Sequence, residues 1–308
     1  MAIKLVKTEE DVQVESMNML IYGDPGTGKT TFAYSAKNPV LIALDKGYKR
    51  SGLRRDALEV EDWNDVLEVI NTQDLINAYD TFIFDDMGSM QDFIKRHISA
   101  QGGATTKDGN LSMRGWGQLA QEFKKFFKKA KDINKDLILI AHSKEYKDGE
   151  DGPIMYKPDI QGSTYNYIFR YLDLVGYLHI KDGNREVIYG NNDRLVTKDC
   201  AEIGAYMIPD FILGGAEVED KKLSSLMENA KKKVSGGSHE KKKLIELIKS
   251  IMVQINEATE PDQFQAILTD INENENANNI KRQIAETLKG RLEETGVKFN
   301  KETKEFSK

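Results

Sequence analysis

Cysteine is nearly missing from this 308-residue chain: Cys200 is the single thiol, so no internal disulfide can form and a reducing, cytoplasmic setting is expected. Histidine is almost as scarce. His97, His142, His179 and His239 are scattered without metal-ligand spacing, which argues against a zinc site. Long apolar runs are also lacking. The stretches around Ile42, Ile83 and Ile138 span only a few residues, far short of the ~20 that a membrane-crossing helix needs, and the opening MAIKLVKTEEDV has no apolar signal-peptide region. No membrane partner is expected. At this length a substantial core can be buried, in one large domain or two ordinary ones.

Charge, by contrast, is abundant: 31% of residues are Asp, Glu, Lys or Arg, against roughly 25% in a typical globular domain. The formal net charge of -6 would argue against nucleic acid if it were evenly spread. It is not. Residues 221–308 carry 17 Lys plus Arg against 14 Asp plus Glu, a net of +3, which leaves 27 against 36, or -9, for residues 1–220. Within the later part, residues 221–250 hold nine Lys and three Glu.

Short β-branched and aromatic runs punctuate the first part: MNMLIYG (17–23), PVLIALD (39–45), TFIFDD (81–86), DLILIAHS (136–143) and LDLVGYLHI (172–180). Such runs read as buried strands. Amphipathic stretches separate them, the clearest being GQLAQEFKKFFKKAKD (117–132), with Leu119, Phe123, Phe126, Phe127 and Ala130 on one face. Strands alternating with helices imply a mostly parallel sheet covered by helices. The Asp182-Gly183 turn predicts that the sheet closes with antiparallel strands. The expected organisation is an α/β core over 1–217, a basic polar linker or helix over 218–240 with Ser235-Gly-Gly-Ser238 as a hinge, and two or three small helices over 241–308.

The strongest chemical signal is Gly23, Asp24, Pro25, Gly26, Thr27, Gly28, Lys29, Thr30 and Thr31, which fits G-x-x-x-x-G-K-[ST] between a strand and a helix. Glycines let the backbone wrap so that successive amides and a helix N-terminus face nucleotide phosphates. Lys29 would reach the β- and γ-phosphates and Thr30 would hold Mg²⁺. TFIFDD supplies the second half of such a site, with Asp85 as the Mg²⁺ acid. Asp86 either polarises the attacking water or caps the segment that follows it. His142, at the end of the 136–143 strand, is a candidate γ-phosphate sensor, because ligands of open parallel sheets bind beyond the carboxyl ends of the strands. A histidine merely satisfied at a strand end is the alternative.

NMLIYGDPGTGKTTFA, LIALD, FIFDDMGS, NLSMRGWGQLAQEFKKF, ILIAHSKEY and PDIQGSTYNYIFRYLDLVGYL together resemble the RecA-like P-loop NTPases, and more closely the short phage-encoded RecA-like proteins of single-strand annealing and recombination. The resemblance covers about residues 15–210. It implies a RecA-like core with a mostly parallel sheet and antiparallel late strands, plus a small C-terminal helical region. It also implies an ATPase using ATP and Mg²⁺, in a bacterial host cytoplasm, that assembles as a ring or filament on single-stranded DNA with nucleotide between subunits. A lysine or arginine acting in trans is then expected, and Arg194 and Lys198 are the candidates. The chain departs from the RecA pattern where a glutamate base would follow the second strand: Asp45-Lys46-Gly47 stands there.

Two polar loops, 96–115 and 147–163, match the places where RecA-like proteins contact DNA, since loops beyond ~12–15 residues in compact domains are usually functional or disordered. Arg96, Lys107 and Arg114 are candidates for phosphate contacts and Trp116 for base stacking or for packing at a helix start. Tyr156 and Lys157 are usable in the second loop. Lys231, Lys232, Lys233, Lys241, Lys242 and Lys243 form a basic cluster suited to phosphate or simply to solubility. Two alternatives stay open: an ATP-dependent assembly protein of a phage replication complex, without DNA-stimulated turnover and with a phage single-strand-binding or replication protein as its partner, and a P-loop kinase.

Overall fold

The computed structural model describes residues 13–147, 152–208, 222–300 and 303–308. They divide into two compact units, a larger one that ends at Ser235 and a smaller one from Gly236 to Lys308. The larger unit is built on a sheet whose central strands are Asn18–Gly23 (β1), Pro39–Ala43 (β2), Ala57–Glu59 (β3), Thr81–Asp85 (β4) and Asp136–Lys147 (β5). Helices Lys29–Ala33 (α1), Trp63–Val69 (α2), Gln73–Ala78 (α3), Met87–Gln101 (α4) and Met113–Asp132 (α5) fall between them. After β5 come Ile154–Pro158 (β6), Gly162–Tyr171 (α6), Leu174–Lys181 (β7), Asn184–Ile188 (β8), Lys198–Asp199 (β9) and Ala205–Ile208 (β10). Spatial order along the main path is β10-β8-β7-β1-β5-β4-β2-β3. Strands β7, β1, β5, β4, β2 and β3 run parallel, and β8 and β10 close the edge antiparallel. The expected mixed α/β class, a parallel sheet with antiparallel late strands, is the observed one.

Both faces of this sheet are covered, which is why its strands are apolar runs without alternation. On β1, Leu20 and Tyr22 enter one core with Trp63, Phe84, Phe123 and Phe126; Met19 and Ile21 enter the opposite core with Phe32, Ala33 and Tyr189. The turn between β7 and β8 has φ of 51° at Asp182 and 79° at Gly183, as the Asp-Gly pair predicts for a tight hairpin.

Of the two readings of 218–240, linker or helix, the described residues from Lys222 on are helical, and the expected boundary at 217 is corrected. Helix Lys222–Glu257 (α7) begins inside the larger unit, where Leu223, Leu226, Met227 and Ala230 are buried against Met17, Tyr34 and Ala36, so the boundary falls after Ser235 rather than at residue 217. The backbone stays helical through Ser235-Gly-Gly-Ser238, where a hinge was expected. The boundary between the two units falls here, between Ser235 and Gly236. In the second unit α7 ends beside Pro261–Glu273 (α8), Ala277–Thr295 (α9) and the hairpin of Lys298–Asn300 (β11) with Glu305–Ser307 (β12), around Ile255, Phe264, Ile271, Ile280 and Ile284. The start of α8 is set by Pro261 at its first turn and a reciprocal cap between Glu260 and Gln263. Among the described residues no helix is long and apolar enough to cross a membrane.

Lys231 is also corrected as a DNA contact. Its ammonium is buried and donates to Asp136 Oδ2 at 2.8 Å and Glu228 Oε1 at 3.2 Å, while Asp136 Oδ1 accepts the Met17 amide at 2.8 Å. Burial works against the charged lysine, but these carboxylates more than offset it and hold its pKa above the ordinary lysine value. The pair ties α7 to the start of β5. Lys231→Ala leaves Asp136 buried without its cation, and is expected to destabilise the fold by about 3 kcal/mol in urea unfolding. A loss below about 0.5 kcal/mol, the range of ordinary surface substitutions, would show that the pair is solvated.

Candidate nucleotide site

Gly23 closes β1 and opens the glycine-rich loop. A Cβ there would lie 2.1 Å from the Leu178 carbonyl oxygen of β7, so the strand spacing itself requires glycine. At the other end, Gly28 caps α1 with φ 98°, a left-handed conformation that glycine adopts at little cost. Between them Thr27 Oγ1 donates to the Asp24 carbonyl at 2.9 Å. Lys29 is buried, and its ammonium donates back to the carbonyls of Gly23 (3.0 Å) and Asp24 (2.9 Å). Burial lowers its pKa, opposed by the nearby carboxylates of Asp85, Asp24 and Asp86.

Strand order determines what else reaches this loop. Because β5 lies between β1 and β4, Gly23 is level with His142 on β5, and Ile140 is level with Asp85 on β4. Across that gap Thr30 Oγ1 donates to Asp85 Oδ2 at 2.6 Å. Asp86, joined to Asp85 by a cis peptide, caps α4 by accepting the Ser89 amide at 2.9 Å, and its Oδ2 stands 3.8 Å from His142 Nε2. The capping role considered for Asp86 is the observed one. Thr31 Oγ1 shares a hydrogen bond with Ser51 Oγ at 2.9 Å. These groups line a cavity of about 700 Å³, large enough for a nucleotide. Asp45 faces it from the end of β2, with Oδ1 accepting the Gly47 amide at 2.8 Å.

The residues fit a magnesium nucleotide. Thr30 and Asp85 place a hydroxyl and a carboxylate side by side, the oxygen ligands such an ion takes, and leave the remaining positions to phosphate and water. Without a cation Asp85 is strained electrostatically: burial, aided by Asp45 and Asp86 and opposed by the Thr30 hydrogen bond, pushes its carboxyl up to about 6.

Several cavity residues have no counterpart among the expected ones, Arg50, Ser51 and Arg185 among them. Arg185, on β8, donates from Nε to the Thr27 carbonyl at 3.1 Å. The Asp182-Gly183 turn predicted its strand, but only the adjacency of β7 to β1 brings that strand over the loop.

The trans and DNA candidates fare differently. Lys198 donates to the carbonyls of Phe169 (3.2 Å) and Arg170 (3.3 Å), so it satisfies the C-terminal end of α6, where cations are favoured, and is not a free ammonium. Arg194 is exposed. The loop expected over 96–115 is shorter, since α4 extends to Gln101 and α5 starts at Met113; Arg96 lies on α4 with its guanidinium over Phe93 at 4.6 Å. Lys107 and Arg114 are exposed, and Met113 is 92% exposed. Trp116 is half-buried against the core under Lys95, so it packs at the helix start and is not presented for base stacking.

The loop expected over 147–163 is corrected too. An extended β5 pairs antiparallel with β6 from Ser143–Pro158 to Lys147–Ile154, Tyr156 packs on Tyr177, and Lys157 covers Tyr146 at 4.6 Å. Cross-strand side-chain pairs of this kind turn a polar segment into a hairpin. In α7, Lys232 and Lys243 are exposed and Lys233 pairs with Glu202 at 3.2 Å, while the side chains of Lys241 and Lys242 lie outside the described residues.

A family model described as "AAA domain" matches residues 15–200. Among solved structures, the chain is similar to the crystal structure of the KaiC-like protein PH0186 from the hyperthermophilic archaeon Pyrococcus horikoshii OT3, with 13% sequence identity and a TM-score of 0.34 over 65% of this chain and 99% of that one. No curated protein matches.

The raised pKa of Asp85 has a definite sign in folding. Between about 4 and 6 the folded chain holds a proton that the unfolded chain has lost, so stability falls as pH rises through that window. Asp85→Asn removes the penalty and is expected to stabilise the nucleotide-free protein by about 2–3 kcal/mol at pH 7.5, with the gain vanishing below about pH 4. Thermal or urea unfolding of both proteins across pH 3.5–8 measures it; a pH-independent difference would contradict the assignment.

Proposed function

The chain belongs to the AAA-domain family of P-loop ATPases, and from that premise we propose that it binds Mg-ATP at residues 23–31 and Asp85, hydrolyses it, and acts as a ring or filament on single-stranded DNA in phage recombination, annealing or replication. The observation that carries the nucleotide part is the convergence of Lys29, Thr30, Asp85, Asp86 and His142 on one cavity at the carboxyl edge of a parallel sheet. Catalysis in such a site rests on positioning and charge neutralisation, with no covalent intermediate. Lys29 leaves the carbonyls of Gly23 and Asp24 for the β- and γ-phosphates. Thr30 and Asp85 would hold Mg²⁺, which would supply charge neutralisation at the phosphates. Asp86, adjacent to His142, orients the water, and His142 reports the γ-phosphate.

Support for the DNA part is the exposed set of Lys107, Met113 and Arg114 around the start of α5, with Lys232 on α7 a further exposed cation of the same unit. Phosphate contacts from such residues give affinity that falls with salt. Arg194 is the remaining cation for a neighbouring subunit's nucleotide. One observation favours a second reading, an ATP-bound assembly partner without turnover: at the position of the RecA-like base, the shorter Asp45 carboxylate is occupied by its own turn, the Gly47 amide.

Steady-state ATP hydrolysis with and without single-stranded DNA separates these. Stimulation by DNA, abolished in Lys29→Ala, is the expected result. Wild-type turnover in Lys29→Ala would overturn the nucleotide assignment, whereas nucleotide-dependent assembly with no turnover would favour the second reading. Phosphate transfer to a nucleoside or a 5′-hydroxyl end would indicate a kinase instead.

For the DNA surface, Lys107→Glu and Arg114→Glu are each expected to weaken single-strand binding and lower the slope of log affinity against log salt by about 0.7. An unchanged slope would remove these residues from the DNA surface.

A further inference from the structure

Arg185 is half-buried in the wall of the nucleotide cavity, yet among the described residues no carboxylate forms an ion pair with it. Its one hydrogen bond runs from Nε to the carbonyl of Thr27, inside the glycine-rich loop. It lies so close to the loop that a Cβ at Gly28 would stand 3.1 Å from Nε. The strand that carries it is pinned on both sides: Arg185 is level with Ile180 of β7 and with Ile208 of β10. A guanidinium that is partly desolvated, anchored through one nitrogen and left without a counter-ion is arranged to receive an anion through its two remaining nitrogens.

Resting on the Mg-ATP reading, we propose that Arg185 is a phosphate ligand supplied in cis, contacting the α- and β-phosphates of the bound nucleotide. The assignment to those phosphates follows from its neighbours. Thr27 and Gly28 belong to the part of the loop whose amides cradle the α- and β-phosphates, whereas Lys29 reaches on to the γ-phosphate. Arg185 therefore binds ATP and ADP alike, and contributes to holding nucleotide more than to the hydrolytic step. The late antiparallel hairpin thereby becomes part of the nucleotide site, in addition to closing the sheet.

The test is titration of ATP and ADP, each with Mg²⁺, into wild-type protein, Arg185→Ala, Arg185→Gln, Arg185→Lys and Lys29→Ala, alongside thermal unfolding of each without nucleotide. Loss of one charged hydrogen-bonding partner is expected to weaken both nucleotides about tenfold to a hundredfold in Arg185→Ala. Arg185→Gln keeps an N–H for the Thr27 carbonyl and loses the charge, so it is expected to bind as weakly as the alanine variant, with a flatter dependence on salt. Arg185→Lys is expected to recover part of the affinity, because it restores charge without the two-nitrogen fork. Wild-type affinity in Arg185→Ala, full rescue by Arg185→Gln, or a loss confined to ATP would overturn the proposal. If Lys29→Ala loses nucleotide while Arg185→Ala keeps it, only the role of Arg185 fails. Should Lys29→Ala keep wild-type affinity, the nucleotide reading itself fails.

Discussion

The hydrogen bond from Thr30 Oγ1 to Asp85 Oδ2, 2.6 Å long, joins the first turn of α1 to the end of β4 across the position of β5. Everything else at the cavity depends on that closure. It exists because the parallel strands β1 and β4 end at nearly the same level on either side of β5, so that the loop after one, the two acids at the end of the other and His142, where β5 passes between them, share a rim. Parallel sheets buried on both faces make such rims, since the helices on each side leave only the strand ends open to ligand.

Charge at this rim is held at a cost. Burial acts against the charged forms of both Lys29 and Asp85, lowering the pKa of one and raising that of the other. In the nucleotide-free chain Lys29 is satisfied only by loop carbonyls and Asp85 by one hydroxyl. Under the proposed Mg-ATP reading, anionic phosphate and a divalent cation would complement both groups, and stability given up at the rim would return as binding free energy. The buried Lys231–Asp136 pair at the opposite end of β5 is different in kind: its charges complete each other within the protein and serve the attachment of α7.

Much of this was legible in the amino-acid order, for local reasons. The glycine-rich loop and the acids of TFIFDD depend on short spacings flanked by apolar runs, and such runs are strands wherever both faces are buried. His142 was legible because it terminates a run. Arg185 was not, since its place depends on β7 lying beside β1, a fact of strand order that no local pattern carries. Lys231 looked like one more member of a basic cluster, and its burial follows only from the apolar residues Leu223, Leu226, Met227 and Ala230 on the same helix. The β5–β6 hairpin was hidden because its residues are polar and its stability comes from cross-strand partners such as Tyr146 with Lys157.

Calorimetric titration of ATP into the full chain, with Mg²⁺ and then with the metal chelated, probes the Thr30–Asp85 closure most directly. One site per chain, with affinity falling at least tenfold on chelation, is the result expected if these two side chains hold the metal beside the phosphates. Absence of binding, or binding of equal strength with and without Mg²⁺, would contradict it.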